Sequence, residues 1–315
     1  MDRRLCLTAL LIVGGMSIAA GAVLQIPQTP KPGAVPIPEV RKVRENLYVI
    51  GGGDPRDQKT FSGGNTGIFI GERGVVIVDT KFVGWGKVIL DKVQSLTDKP
   101  ITTIINTHAH FDHAGSNAEF PASINFVAHE NAKGYMMQRP CPPIMTCLQG
   151  ANEKYLPKQT FKDKLTLFSG KDQVDLYYFG PGHTNGDTFV VFPALRAMQS
   201  GDMFQLKWIP FIDGQNGGSA VAFPETLGKA AATIKNVDTV ITGHGAVMTF
   251  NDMQEHVEVL RDFVQQVRNG KKAGKSAADV ASAYKLPAKY SGSGYTIDPN
   301  SVKTNVEMAF KELGR

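Results

Sequence analysis

Six consecutive residues after a predicted strand constrain this 315-residue chain more than any other feature of its sequence. The β-branched run 101–105 leads directly into His108-Ala109-His110-Phe111-Asp112-His113. Alternate side chains of an extended segment point the same way, so His108 and His110 can bind one ion while Asp112 and His113 turn towards a second. Imidazole and carboxylate donors suit zinc. The motif therefore predicts a two-metal site at the end of a strand.

Further donors are needed, because a catalytic zinc takes three protein ligands and keeps an open position for water. Three candidates lie beside glycines, each after a predicted strand: His183, Asp202 and His244. A neighbouring glycine lets the backbone approach an ion closely. The predicted metal ligands are therefore His108, His110, Asp112, His113, His183, Asp202 and His244.

The strands and helices are predicted in two successive series. Short apolar strands at 47–50, 67–70, 75–78 and 101–105 surround a helix at 84–96. A second series has strands at 165–167, 174–179, 189–192, 197–198 and 237–241, with a helix at 227–234. Two strand-rich halves, each completed by helices, predict an α/β fold. We expect two sheets packed face to face with helices outside, a four-layer αββα sandwich.

A stripe of apolar residues from Met253 to Val267 predicts one further long helix, which we expect to end at Gly270. His256 lies on this helix and is interpreted as a surface residue. His129 is expected to open another helix, near Glu130. Neither histidine is given a functional role.

The first residues differ from all that follow. Arg3 and Arg4 precede an apolar run over 5–18, and Ala20-Gly21-Ala22 has the small-x-small form that signal peptidase accepts. We predict a signal peptide over 1–22 and export to the periplasm or the medium, with no stable membrane anchor after cleavage. A retained anchor is the alternative, although the run is short for a span of ~20 residues.

Three more segments follow the predicted signal peptide. Residues 23–38 contain five prolines and are expected to form an extended, mobile lead. The sandwich domain is placed at 39–270. Residues 271–315 are expected to form a helical extension packed on that domain, with short helices at 276–284 and 302–313.

Cleavage would leave two cysteines, Cys141 and Cys147, in one loop. An oxidising compartment favours a disulfide between them, while two free thiols or an additional metal site are the alternatives. The formal charge of +5 is spread along the chain without a basic, aromatic stripe. The expected partner is therefore a small-molecule substrate and not a nucleic acid.

The complete donor pattern resembles that of the metallo-β-lactamase superfamily, from about Val40 to Asn269. The resemblance implies that the first zinc is held by His108, His110 and His183. It gives the second zinc Asp112, His113 and His244, with Asp202 bridging both ions. It also matches Asp79, which ends the strand 75–78, to the acidic residue that supports the histidine loop in this family.

The metals imply the mechanism. Two zinc ions that share a water lower its pKa from 15.7 to about 7, which leaves a bridging hydroxide as the nucleophile. Asp112 is expected to orient this hydroxide and to carry a proton. The predicted function is a dinuclear zinc hydrolase acting on an ester, lactone, thioester or amide. The chain lacks a Gly-x-Ser-x-Gly nucleophile elbow.

Several alternatives stay open. A β-lactamase proper has Cys or Ser where this chain has Asp202, whereas a bridging Asp is typical of glyoxalase II, lactonases and phosphodiesterases. Glyoxalase II acts on a cytosolic thioester, which disagrees with export. A mononuclear iron persulfide dioxygenase would use nearly the same donors, since imidazole and carboxylate also suit Fe(II). A flavodiiron protein would have a carboxylate in place of His110. A non-catalytic relative would have lost metal ligands, whereas this chain has lost none.

Two other segments are assigned places near the metals. Trp208 and Phe223 are interpreted either as an apolar wall of the site or as core filling. The glycine-rich loop Gly51–Gly64 is expected to form a flap over the site.

Overall fold

The computed structural model describes residues 29–142 and 144–314. The predicted signal peptide at 1–22 and residues 23–28 of the predicted lead lie outside the described residues. Within these ranges, no helix is both long and apolar enough to cross a membrane.

The described chain contains two series of strands and seven α-helices. The first series of strands is β1 (Val40–Arg44), β2 (Leu47–Ile50), β3 (Thr66–Ile70), β4 (Val75–Val78), β5 (Ile101–Ile105), β6 (Asn125–His129) and β7 (Gln159–Phe161). The second is β8 (Lys164–Leu167), β9 (Val174–Tyr177), β10 (Phe189–Phe192), β11 (Ala197–Gln199), β12 (Thr239–Ile241) and β13 (Met248–Thr249). The helices are α1 (Gly86–Gln94), α2 (Phe111–Ala114), α3 (Glu130–Met136), α4 (Phe223–Thr233), α5 (Phe250–Lys272), α6 (Ala277–Ala283) and α7 (Pro299–Glu312).

The strands form two sheets, and in each sheet the spatial order follows the sequence order. One sheet runs from β1 to β7 and the other from β8 to β13. Strands β1 to β4 are antiparallel, whereas β4 to β7 are parallel. In the second sheet β11 and β12 are the parallel pair. The carboxyl ends of β4 and β5, and those of β11 and β12, therefore lie at common edges.

The two sheets pack against each other through apolar faces. Strand β4 is buried throughout, because both of its faces are covered. Val76 and Val78 point into the core between the sheets, where Phe69 of one sheet meets Phe192 of the other with ring centroids 5.2 Å apart. Ile77 points the opposite way, towards α1. The alternation of side chains along each strand thus supplies two separate cores.

Helices cover both outer faces. Ile89 and Val93 of α1 pack on the first sheet, and Leu260 of α5 packs on the second. Val306 of α7 belongs to the same cluster as Leu260, so the C-terminal helices share the outer core of the second sheet. The predicted four-layer αββα sandwich is confirmed.

Two predictions about helix α5 are wrong. The helix continues through Gly270 to Lys272, and the left-handed residue that follows it is Gly274, with φ of +73°. Gly270 instead allows Val280 of α6 to pack closely on α5, since a β-carbon at Gly270 would lie 2.3 Å from Cγ2 of Val280. His256 is not a surface residue. It is fully buried, with its ring centroid 5.0 Å from that of Phe204, so its face of the helix points inward.

The described part of the proline-rich segment, 29–38, packs against the sandwich. Val35 is buried beside Phe82 and Trp85. The indole Nε1 of Trp85 donates a hydrogen bond to the carbonyl of Pro30 over 2.8 Å. A single buried valine in a proline-rich stretch leaves no periodic signal, and for this reason the sequence pattern did not indicate the contact.

Candidate metal centre

Loops at the ends of parallel strands bring the predicted donors together. Asp79 follows β4, and the histidine motif follows β5, its parallel neighbour. Asp202 and His244 follow β11 and β12, the parallel pair of the other sheet. Because the two sheets face each other, donors from both halves of the chain meet at one edge of the sandwich.

The structure places all seven predicted ligands in three overlapping groups, within each of which the donor atoms lie within 4.8 Å of one another. The groups are His108, His110 and His183; His108, His113 and Asp202; and Asp112, His113 and His244.

The first group consists of three imidazoles. The ring centroids of His108 and His110 each lie within 4.8 Å of that of His183, and the rings are nearly perpendicular. Nε2 of His108 is buried and has no hydrogen-bond partner among the described residues. A buried nitrogen with a free lone pair costs free energy unless a ligand occupies it. This atom therefore fits a metal ligand.

The carboxylate of Asp202 lies between the two outer groups. Its Oδ1 is 3.2 Å from Nε2 of His113, and its Oδ2 is 3.2 Å from Nε2 of His244. Its Oδ2 also lies 3.6 Å from Nε2 of His183, in the first group. Asp112 completes the third group, with Oδ2 3.6 Å from Nε2 of His244. One carboxylate is thus within reach of an ion in either group.

Behind the donors, three aspartates hold the imidazole rings. Oδ2 of Asp79 lies 2.8 Å from Nδ1 of His113, and Asp79 also accepts hydrogen bonds from the backbone and hydroxyl of Thr107. This agrees with the supporting role that the resemblance implied for Asp79. Oδ1 of Asp187 lies 3.2 Å from Nδ1 of His183. Such carboxylate–imidazole pairs fix the ring and are typical of histidines that bind metals.

The third of these aspartates is Asp213, whose Oδ2 lies 2.9 Å from Nε2 of His110. This contact leaves Nδ1 of His110 as the nitrogen available to a metal. The sequence reasoning missed Asp187, Asp213 and Gln205, whose amide donates to Oδ2 of Asp202 over 2.9 Å. Asp187 and Gln205 stand only four and three residues after a predicted ligand. That spacing was a usable signal, whereas Asp213 offered none.

The charges of the site favour a cation. Burial lowers the pKa of His113, but Asp202, Asp112 and Asp79 together raise it well above its usual value. The pKa of Asp202 would rise on burial, yet the neighbouring imidazoles, first His244, hold it well below its usual value. Burial and nearby imidazoles push the pKa of His108 well below 6.5, so this ring is neutral. Neutral imidazole and ionised carboxylate are the forms that bind zinc.

Glycines allow the donors to approach one another. A β-carbon on Gly243 would lie 2.0 Å from Oδ1 of Asp202, and one on Gly64 would lie 2.3 Å from the His113 ring. Gly201 has a φ of +50°, and a β-carbon there would meet the Thr107 side chain at 2.7 Å. The prediction that glycines next to the donors serve close approach agrees with these distances.

The glycine-rich loop 51–64 lies against the third group. The Phe61 ring centroid is 5.4 Å from that of His244, and the backbone N–H of Gly64 donates to the carbonyl of Asp112 over 2.7 Å. The buried Lys81 holds both ends of the loop by donating to the carbonyls of Gly51 and Gly64. Burial lowers the pKa of Lys81 to about 7. The loop therefore contacts the donors, and its role as a flap stays a prediction.

Cys141 and Cys147 form a disulfide, which confirms the predicted pairing. Between the two cysteines, Met145 makes an antiparallel bridge to His110. The N–H of Phe111 donates to Ile144, and the N–H of Thr146 donates to Ala109. The segment closed by the disulfide therefore pairs directly with the backbone of the histidine motif.

The proposed apolar wall is not formed by the residues first considered. Trp208 and Phe223 are both buried in the core, so the core-filling interpretation holds for them. Phe211 is instead the exposed aromatic residue nearby: it is 39% exposed, and its ring centroid lies 6.3 Å from that of His183.

A sequence model of the family described as the metallo-beta-lactamase superfamily matches residues 60–244, which include all seven donors and the parallel strand ends that carry them. The chain belongs to the metallo-β-lactamase superfamily. Its enzymes are metal-dependent hydrolases, in agreement with the enzyme class predicted from the sequence. The sandwich is thus the fold of a known family.

Individual relatives are distant. A protein described as metallo-beta-lactamase type 2 from Elizabethkingia meningoseptica is 24% identical over 247 residues, which are 73% of this chain and 88% of that protein. A metallo-beta-lactamase structure from Pontibacter korlensis has a TM-score of 0.59 at 18% identity, covering 71% of this chain and 98% of that one. The sec-alkylsulfatase Pisa1 from Pseudomonas sp. has a TM-score of 0.66 at 15% identity, covering 87% and 50%. The structural likenesses concern the fold alone.

Proposed function

We propose that this protein is a dinuclear zinc hydrolase that acts on a small-molecule ester, lactone, thioester or amide. One observation carries the proposal: the carboxylate of Asp202 lies between two complete sets of donors. The first ion would be held by His108, His110 and His183, and the second by Asp112, His113 and His244. Asp202 would bridge them.

The donors match zinc in number and type, since each set offers three protein ligands and leaves a position for water. When bound, two zinc ions supply an activated water with a pKa near 7 and a Lewis acid for the substrate oxygen. The remaining chemistry belongs to the chain. Asp79, Asp187 and Asp213 hold the imidazoles in place, so the donor atoms keep their positions during turnover.

Asp112 is proposed as the catalytic residue. Its side chain is 13% exposed, whereas that of Asp202 is 6% exposed and that of His113 is fully buried. Asp112 is therefore the carboxylate that a substrate or a water molecule can reach. From this position it can orient the nucleophile and carry the proton to the leaving group.

The substrate is proposed by class. True β-lactamases of this superfamily have Cys or Ser at the position of Asp202. The aspartate therefore favours an ester, lactone or thioester as the substrate over a β-lactam. The similarity to the Elizabethkingia β-lactamase keeps β-lactams as the second candidate. The second set of donors, built around His244, speaks against a mononuclear iron dioxygenase, which would not need it.

We also propose that the protein is exported. The disulfide between Cys141 and Cys147 supports this, because disulfides persist mainly in oxidising compartments such as the periplasm. The predicted signal peptide at 1–22 would direct the export. Cell fractionation followed by mass spectrometry tests the point: an exported protein with its N-terminus at Val23 is expected, and a protein found only in the cytosol with Met1 retained would contradict the proposal.

Metal analysis tests the proposed function. We expect about two zinc ions per chain by elemental mass spectrometry, and hydrolysis of at least one substrate among lactones, thioesters, phosphodiesters and nitrocefin. One iron per chain, with oxygen uptake on glutathione persulfide, would overturn the proposal. The variant Asp202→Ala should lose most activity and part of the metal, whereas the exposed Asp91→Asn serves as the control. Full activity with two zinc ions in Asp202→Ala would exclude the bridging role.

A further inference from the structure

The C-terminal helix α7 contacts the loop that carries Asp213. We define residues 207–221 as the Asp213 loop; it runs between the bridging Asp202 and helix α4. The family match ends at residue 244, so α7 at 299–312 lies outside it. A segment beyond the matched sandwich thus touches a loop of the metal centre.

Within the Asp213 loop, a set of hydrogen bonds positions the Asp213 side chain. The N–H groups of Gln215 and Asn216 donate to Oδ1 of Asp213, and the Asn216 amide donates to Oδ2. The backbone N–H of Asp213 donates to the carbonyl of His183 over 2.8 Å. Oδ2 of Asp213 remains beside Nε2 of His110. The position of the loop therefore decides the orientation of the His110 ring.

Helix α7 holds this loop from outside at successive points. The buried amide of Asn305 donates to the carbonyl of Pro210 over 2.7 Å. A β-carbon on Gly214, the residue after Asp213, would lie 2.8 Å from Cε of Met308, so Met308 packs directly on the loop. One turn further along, Glu312 reaches the end of the loop.

Glu312 makes the most extensive of these contacts. Its Oε2 accepts hydrogen bonds from the hydroxyl of Ser219 over 2.7 Å and from the N–H of Val221 over 3.0 Å. Its Oε1 accepts from the N–H of Ala220 over 3.1 Å. Charge-assisted hydrogen bonds of this kind are about twice as strong as neutral ones. Glu312 thereby fixes the chain just before α4, where the N-cap residue is Ala222, whose side chain cannot cap.

We propose that Glu312 is a positioning residue of the metal centre. By holding the Asp213 loop, Glu312 keeps Asp213 hydrogen-bonded to His110 and so keeps the ring in the orientation that binds the first ion. The proposal rests on the proposed function to the extent that His110 is a metal ligand. It assigns to the C-terminal extension a role in metal retention, in addition to its packing on the second sheet.

The test compares the rates at which zinc-loaded proteins release metal to an excess of 4-(2-pyridylazo)resorcinol. Glu312→Gln keeps the side-chain shape but removes the charge and places a donor against N–H groups. We expect release from the first site to accelerate about threefold to tenfold, below the ~10–100-fold cost of losing a group that contacts a ligand directly. Glu307→Gln, an exposed position on the same helix, is the matched control and should release zinc like the wild type.

A double-variant comparison separates positioning from general destabilisation. If Glu312 acts through Asp213, Glu312→Gln causes no further acceleration in an Asp213→Asn background. Multiplicative effects of the two changes would overturn the proposal, as would a wild-type release rate in Glu312→Gln. If Glu312→Gln fails to fold, Met308→Ala removes the packing on Gly214 together with part of the contact between α7 and the outer core. It is expected to accelerate release in the same direction, and an unchanged rate would count against the proposal.

The zinc-release test does not depend on whether the protein hydrolyses a substrate. A protein that binds zinc but hydrolyses nothing would defeat the proposed function and leave the release comparison intact. An active enzyme whose Glu312→Gln variant retains zinc like the wild type would defeat only the role of Glu312.

Discussion

Oδ2 of Asp213 lies 2.9 Å from Nε2 of His110, although the two residues are separated by 103 positions in the sequence. Both side chains are 5% exposed. Burial alone would raise the pKa of Asp213, but the contact with His110 holds it at about 2. The carboxylate is therefore ionised at any working pH and fixes one nitrogen of the ring. The other nitrogen is left to face His108 and His183.

Replacing Asp213 tests the importance of this contact. Asp213→Asn keeps the size of the side chain but removes its charge, so the His110 ring loses its fixed orientation. We expect zinc affinity at the first site to fall ~10–100-fold, which is the usual cost of such a change. Competition with a chromophoric chelator measures the affinity. Asp91→Asn, on the exposed face of α1, is the control, and an unaltered affinity in Asp213→Asn would show that the contact is dispensable.

Gly243 offers a second test, since a β-carbon there would lie 2.0 Å from Oδ1 of Asp202. Gly243→Ala must displace the carboxylate of Asp202, the proposed bridge, and a displacement of ~1 Å at an active site can cost about 100-fold in rate. We expect kcat, measured at saturating substrate, to fall by about 100-fold. Gly134→Ala is the matched control, because a β-carbon on Gly134 meets nothing within 4 Å. Equal activities of the two variants would contradict the prediction.

The disulfide gives a third prediction. The segment between Cys141 and Cys147 pairs with the histidine motif, so opening the disulfide should loosen that motif as well as the surface loop. We expect Cys141→Ser/Cys147→Ser to lower the free energy of unfolding by about 2 kcal/mol, from the entropy of a short closed loop, and to release zinc faster. Urea unfolding and metal release are the measurements. Reductant should lower the stability of the wild type and speed its zinc release to the same extent, and it should not affect the double variant. A wild type whose stability and zinc release do not respond to reductant would contradict the prediction.

His256 predicts a pH dependence of stability remote from the metals. Burial lowers its pKa from 6.5 to about 3, with a smaller contribution from Lys207. The unfolded chain then binds the proton more readily than the folded one between these values. Stability contributed by the neutral ring is complete above pH 6.5 and falls, by about 1.4 kcal/mol per pH unit, as the pH drops towards 3.

The variant His256→Gln isolates this contribution. Its free energy of unfolding in urea should depend less steeply on pH than that of the wild type between pH 6.5 and 4. The variant removes one titrating group while the metal centre is unchanged, so the difference between the two curves belongs to His256. Parallel curves would show that the buried ring is not the source.

The sequence predicted the sandwich and the seven donors because both depend on local pattern. Strand β4 is a continuous apolar run since both of its faces are covered, and such a run identifies a central strand. The motif at 108–113 identifies its own chemistry by spacing. The residue identities next to Gly243 and Gly201 likewise indicated close approach. These signals need no knowledge of distant partners.

The remaining features depend on tertiary contacts. The surface position predicted for His256 is wrong because the rings of Phe204 and Tyr295, both remote in sequence, cover that face of the helix. Helix α5 passes through Gly270, because packing against Val280 uses the missing side chain. Asp213 meets His110 only after the second sheet docks on the first. No periodicity within the Asp213 loop could indicate a partner so far away.

The strictly sequential order of strands in both sheets has a consequence for assembly. Each sheet is formed by consecutive strands of the chain, so the strand pairing within each half of the sandwich needs only residues of that half. The donors are divided between the halves: the histidine motif belongs to the first, and His183, Asp202 and His244 belong to the second. Neither half alone can bind a metal through a full set. A metal ion bound by the proposed sets of donors would therefore cross-link the two halves of the chain, and its binding energy would oppose their separation.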